Sequence, residues 1–107
     1  MRAPSPSSTV SPMRRAARVD GNQRQIVAAL RAIGCTVQTL HTVGKGCPDI
    51  LVGCRGTNLL MEIKDGSKPT SARRLTEDED RWHRHWLGQV SVVATIEEAI
   101  AAVDAGC

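Results

Sequence analysis

The sequence predicts one mixed α/β domain, with elements in the order α-β-β-β-α-β-α. Three observations carry this expectation. The 107 residues leave room for a single core. Apolar residues recur at helical spacing in some segments and gather into short β-branched runs in others. Two Thr-x-x-Glu capping boxes, Thr76 with Glu79 and Thr95 with Glu98, open helices in the second half. Usage is ordinary for a globular chain, at 41% hydrophobic and 23% charged.

Residues 1–18, MRAPSPSSTVSPMRRAAR, mix Pro, Ser and Arg with no apolar period. Such a segment buries too little surface to offset its ordering entropy, so it is expected to be a disordered basic arm before a domain at 19–107. Asp20–Asn22 can cap the first helix, along which Ile26, Val27, Leu30 and Ile33 recur before a stop at Gly34. Cys35–His41 is a β-branched run of strand length, followed by a glycine-rich loop. Asp49–Cys54 and Asn58–Lys64 flank the turn-forming Arg55-Gly56-Thr57 and predict a hairpin. Residues 65–74 read as a polar, basic loop, and the next helix runs from Thr76 to Gly88 with Trp82 and Trp86 on one face. Gln89–Ala94 is the fourth strand, and Ile96, Ala99, Ile100 and Val103 give the last helix its buried stripe.

Several function classes are excluded at once. With two tryptophans and no Phe or Tyr, the chain lacks the rows of aromatics on which RRM and OB-type modules stack bases. No apolar run approaches the length of a membrane span. Four irregularly spaced cysteines and no export signal predict a reducing, cytoplasmic location without a disulfide framework. No paired CxxC or HxxxH spacing suggests zinc. The net charge of +3 is unevenly spread: six arginines and one acid fall in residues 1–31, and eight basic against ten acidic residues in the rest. A second basic patch lies at Lys68, Arg73 and Arg74.

Chemistry concentrates on Asp49, Glu62 and Lys64. Glu62 and Lys64, two apart in a strand, leave the same face of the sheet. Asp49 precedes Arg55 by as many residues as Glu62 follows Gly56, so a hairpin folded at that step sets Asp49 across from the Glu62–Lys64 stretch; a shift in register changes the face Asp49 shares. An apolar strand does not carry Glu and Lys without reason. Two converging carboxylates make a hard oxygen site for Mg²⁺ or Mn²⁺, and an adjacent ammonium can offset charge on a phosphorane. The reaction class is metal-assisted phosphodiester hydrolysis. The plainer alternative is a Glu–Lys salt bridge at a sheet edge with Asp49 capping a turn.

The segments GKGCPDILVG and LLMEIKDG resemble the PD-(D/E)XK nuclease signature, with Pro48-Asp49 followed by Glu62-Ile63-Lys64. More narrowly, residues 19–103 resemble the small stand-alone VRR-NUC-type nucleases common in bacteriophages. The resemblance implies a restriction-endonuclease-like core: a mixed four-stranded sheet flanked by helices. It implies that Asp49, Glu62 and the Ile63 carbonyl bind the metal and that Lys64 is the catalytic lysine. It also implies a DNA endonuclease that selects branched or junction structure rather than sequence, in the cytoplasm of a bacterial or phage-infected cell. Symmetric cutting of two strands would need a homodimer.

Two positions depart from that pattern. Where relatives place a metal-reaching Glu in the first helix, this chain reads Asp20-Gly21-Asn22-Gln23, which makes Gln23 the candidate and Asn22 the next. Where relatives carry a Gln in the second helix this chain has Asp80, read as solvent-facing. Gly44-Lys45-Gly46 lacks the length and trailing residues of a P-loop, and is read as a flexible loop with Lys45 near a DNA phosphate. Lys68, Arg73 and Arg74 either grip the DNA backbone or form a solvated loop; Arg14, Arg15 and Arg18 would add salt-sensitive phosphate contacts. Trp82 and Trp86 are expected as core or dimer contacts rather than stacking residues, and His41 as a surface or core residue. The alternatives to an enzyme are a catalytically silent nucleic-acid-binding module and an interaction subunit on the same fold.

Overall fold

The computed structural model describes residues 21–107, so the arm at 1–18 and its Arg14, Arg15 and Arg18 lie outside the described residues. The elements follow the predicted order: α1 (Gln23–Ala32), β1 (Thr36–Thr39), β2 (Ile50–Cys54), β3 (Thr57–Ile63), α2 (Glu77–His85), β4 (Val90–Val93) and α3 (Ile96–Gly106). The sheet runs β1-β2-β3-β4, antiparallel except for the parallel β3–β4 pair that the α2 crossover permits.

Strand parity decides what each face does. Val37, Ile50, Val52, Leu59, Met61, Ile63 and Val93 share one face in register. They pack with Ile26, Val27 and Leu30 of α1 and with Ala99 and Val103 of α3 into one buried cluster. Glu62 belongs to the opposite face, where Glu79 and His83 of α2 approach it.

Local chemistry sets the boundaries. Gly34 adopts φ +100° and leads a return in which Cys35 N–H donates to Leu30 O, ending α1 as an αL stop should. The β2–β3 turn is the two-residue step Arg55-Gly56 with both φ positive, the twist that hairpins favour, so Thr57 joins β3 rather than the turn. The Thr76–Glu79 capping box is complete. At α3, Thr95 Oγ1 accepts from Glu98 N–H, but the Glu98 carboxylate reaches back to Ala94 N–H instead of the cap's own.

Four local expectations are corrected. Asn22 makes no side-chain cap; its Nδ2 donates to the carbonyls of Lys64 and Ala94, each at 2.9 Å, tying the start of α1 to the ends of β3 and β4. The loop after β3 contains a 3₁₀ turn at Thr70–Arg73. Helix α2 stops at His85, whose Nδ1 donates to the Arg81 carbonyl, and Trp86 turns to extended backbone. Neither tryptophan joins the core, and Trp86 keeps 45% of its surface exposed.

The glycine loop is fixed to α2 at one point. Gly46 has φ +82°, and a Cβ there would lie 2.3 Å from the Asp78 carbonyl oxygen. Gly46→Ala therefore meets both an unfavourable backbone and a backbone collision, and is expected to cost about 2 kcal/mol or more. Thermal denaturation checks this against Gly56→Ala, whose positive φ faces open space and which should cost less.

Candidate active site

The β2–β3 hairpin builds the site. Its pairing Ile50↔Met61 through Cys54↔Thr57 continues past β2 to set Asp49 opposite Glu62. Asp49 N–H donates to the Met61 carbonyl, and Asp49 Oδ2 accepts from Ile63 N–H at 2.6 Å. These bonds lock Asp49 onto the strand that carries Glu62. Pro48, fully buried, precedes it at the strand entrance.

Glu62 is 2% exposed, almost alone among buried polar residues. Lys64 Nζ lies 3.8 Å from Glu62 Oε2 and 2.7 Å from Glu79 Oε1. His83 Nε2 stands 3.9 Å from Glu62 Oε1, and both of those atoms are buried without a hydrogen-bond partner among the described residues. Burial pushes the Glu62 carboxyl up to about 10, and the Asp49 and Glu79 carboxylates push in the same direction. Burial also raises Glu79, but hydrogen bonds from Lys64 and Thr76 N–H outweigh it and hold that group below its usual value. Burial holds His83 down as a neutral imidazole, against the pull of Glu79 and Asp80. The result is a proton-holding Glu62 beside an ionised Glu79–Lys64 pair.

Glu79 and His83 escape sequence reasoning. Glu79 reads as a helix cap, and its Oε1 does accept from Thr76 N–H at 2.8 Å; the same oxygen also takes Lys64. The available signal is the i,i+4 spacing of Glu79 and His83 on one helical face. Asp80 is exposed and pairs with Arg84 at 2.9 Å.

The remaining candidates are distributed unevenly. Gln23 is buried with Oε1 unpartnered among the described residues, and borders a cavity of about 350 Å³ with Thr39 and His41. Arg73 donates to the carbonyls of Lys68 and Gly66, both at 2.8 Å, which binds it into its own loop. Lys68 and Arg74 are exposed. Lys45, with φ +56°, sits on the other side of α2 beside Asp78, Arg81 and Trp82.

No protein-family model and no curated protein matches the sequence. A solved structure described as a VRR_NUC domain superposes with a TM-score of 0.58, at 23% identity, over 77% of this chain and 89% of its own. The two share a fold.

The raised Glu62 has a signed consequence. A carboxyl whose folded pKa lies above its unfolded one stabilises fully below the unfolded value, and that contribution is lost as pH climbs toward about 10. Glu62→Gln, which keeps a neutral group in place, is expected to raise the melting temperature in EDTA at neutral pH. The gain should grow between about pH 5 and 9, reaching about 4–8 °C or more. Parallel melts across that range check it.

Proposed function

We propose that this protein is a divalent-metal-dependent endonuclease that hydrolyses DNA phosphodiester bonds, choosing branched or junction structure over sequence. The observation that carries this reading is Glu62: a carboxyl sunk in the sheet, facing Asp49, with Lys64 at 3.8 Å. A structural salt bridge has no need of a second and a third carboxylate crowding the first.

The donor set suits a hard divalent cation. Glu62 Oε1 is buried and without a hydrogen-bond partner among the described residues, and the burial and like charges that keep Glu62 protonated are both offset by a cation. Among those residues no three His, Cys, Asp or Glu side chains form an ion-binding group. Asp49, Glu62 and the Ile63 carbonyl would hold Mg²⁺ or Mn²⁺, with water completing the shell and Gln23 as a further donor. When bound, such an ion polarises a phosphoryl oxygen and acidifies a water molecule. Lys64 offsets the charge that accumulates on the phosphate. Glu79 holds that ammonium in place, and its own cap bond from Thr76 N–H fixes the carboxylate. His83, neutral and close to Glu62, adds no positive charge that would compete with the ion.

Lys45, Lys68 and Arg74 would contact the DNA backbone, and Arg14, Arg15 and Arg18 would add to them. A homodimer would present two sites for paired cuts. A second reading, a binding module without catalysis, draws support from the first helix, where the sequence offers Gln23 in place of the acid that the resemblance leads one to expect.

The test is cleavage of four-way-junction, flapped, duplex and single-stranded DNA with Mg²⁺ or Mn²⁺. Cutting is expected to be strongest on the junction, to stop in EDTA, and to fall about 10²-fold or more in Lys64→Ala. Absence of cutting by folded wild-type protein on every substrate leaves the binding module. Two further variants separate capping from positioning: Thr76→Ala weakens the cap by about 1 kcal/mol yet keeps the Glu79–Lys64 bond. Glu79→Gln should lower kcat with little change in KM, whereas Thr76→Ala should leave kcat nearly intact.

A further inference from the structure

We propose that Trp86, stacked on Trp82 at the end of α2, is a platform for an unpaired nucleobase of the substrate strand. The substrate class rests on the nuclease reading; the platform itself is tested without catalysis. The two indoles lie 4.7 Å apart between centroids, with planes 19° from parallel. Trp86 is held on a second side as well: its Nε1 would lie 2.9 Å from a Cβ at Gly88, so the ring crosses that glycine closely. A ring fixed by two contacts and still 45% exposed is preorganised for a flat, apolar partner. The next residue, Leu87, is 99% exposed.

The surroundings favour a nucleic-acid strand. Trp82 and Trp86 line an open groove of about 530 Å³ with Lys45, Asp78, Arg81 and His85. Asp78 is engaged by Arg81 at 3.0 Å, which leaves the Lys45 ammonium, without an ion pair among the described residues, as the groove's uncompensated charge. A base on the indole and a phosphate at Lys45 match that combination of stacking surface and cation. A second copy of the chain fits less well, because a two-fold contact through this patch brings two uncompensated Lys45 ammonium groups into one interface. Position also argues for the substrate. Residues 78, 81, 82 and 85 lie on a different side of α2 from Glu79 and His83, so the groove and the Glu62–Lys64 site are carried by one helix.

The full chain has two tryptophans and no tyrosine, so its fluorescence reports on this site. In EDTA, oligothymidylate is expected to quench that emission and to bind about tenfold tighter than blunt duplex carrying the same number of phosphates. Trp86→Ala should lose about tenfold in affinity for oligothymidylate, and Trp86→Phe should recover most of it. Gly88→Ala, which displaces the ring without removing it, should weaken binding in the same direction. Duplex affinity and melting temperature should stay close to wild type in all three. Unaltered oligothymidylate binding by Trp86→Ala overturns the proposal. So does a wild-type dimer in sedimentation that Trp86→Ala makes monomeric, with no quenching by DNA. Quenching without metal-dependent cutting sinks the enzyme and leaves the platform, whereas cutting without quenching sinks the platform alone.

Discussion

A carboxyl group that water barely reaches governs one whole face of this protein. Glu62 is 2% exposed in the strand next to the sheet's parallel edge, where a bare carboxylate would cost several kcal/mol. Its neighbours do not relieve that cost evenly. Lys64 offers a positive charge, but its ammonium is nearer to Glu79, and Asp49 and Glu79 both oppose a charge on Glu62. The conflict keeps a proton where the sheet's packing would otherwise favour an apolar residue. Sites that do chemistry accept this kind of local discord, while the opposite face, with its cluster of Ile, Leu, Met and Val, supplies the stability that tolerates it.

Helix α2 has a double duty that follows from this arrangement. None of its residues is fully buried, so it is not held by an apolar stripe in the way α1 and α3 are. Its anchors are polar and backbone contacts: the Glu79–Lys64 bond, the approach of His83 to Glu62, and the close seat of Gly46 on the Asp78 carbonyl. The same ion pair that positions the lysine thus helps to position the helix, and the glycine loop ahead of β2 is seated on the backbone next to Glu79, one residue from that pair.

Much of the architecture was legible from spacing. The hairpin register follows from the equal distances of Asp49 and Glu62 from the Arg55-Gly56 step, because an antiparallel pair has only that freedom. The capping residues marked the starts of α2 and α3 for the same local reason. What escaped was whatever depends on contacts across the fold. Glu79 had a sufficient local explanation as a cap, which hid its bond to a lysine 15 residues earlier. The tryptophan pair lies outside the core: α2 ends before Trp86, which stays 45% exposed, and Trp82 stacks against it. Arg73 counted as a free cation until its loop closed around it, and Asn22 as a cap until the ends of β3 and β4 came within its reach.

The hairpin also restricts how this chain can change length over its history. Side chains alternate between faces, so one residue gained or lost between Ile50 and Cys54, with the pairing kept, turns Asp49 away from Glu62 and toward α1 and α3. Strand insertions that preserve the site are matched by equal ones in β3, because an even step in β2 alone restores the face but slides Asp49 along the strand past Glu62. The Arg55-Gly56 turn, at the far end of the ribbon from Asp49, carries no such parity and can lengthen freely. Homologous chains of different length are accordingly expected to differ at that turn and to keep the strand segments beyond it in step.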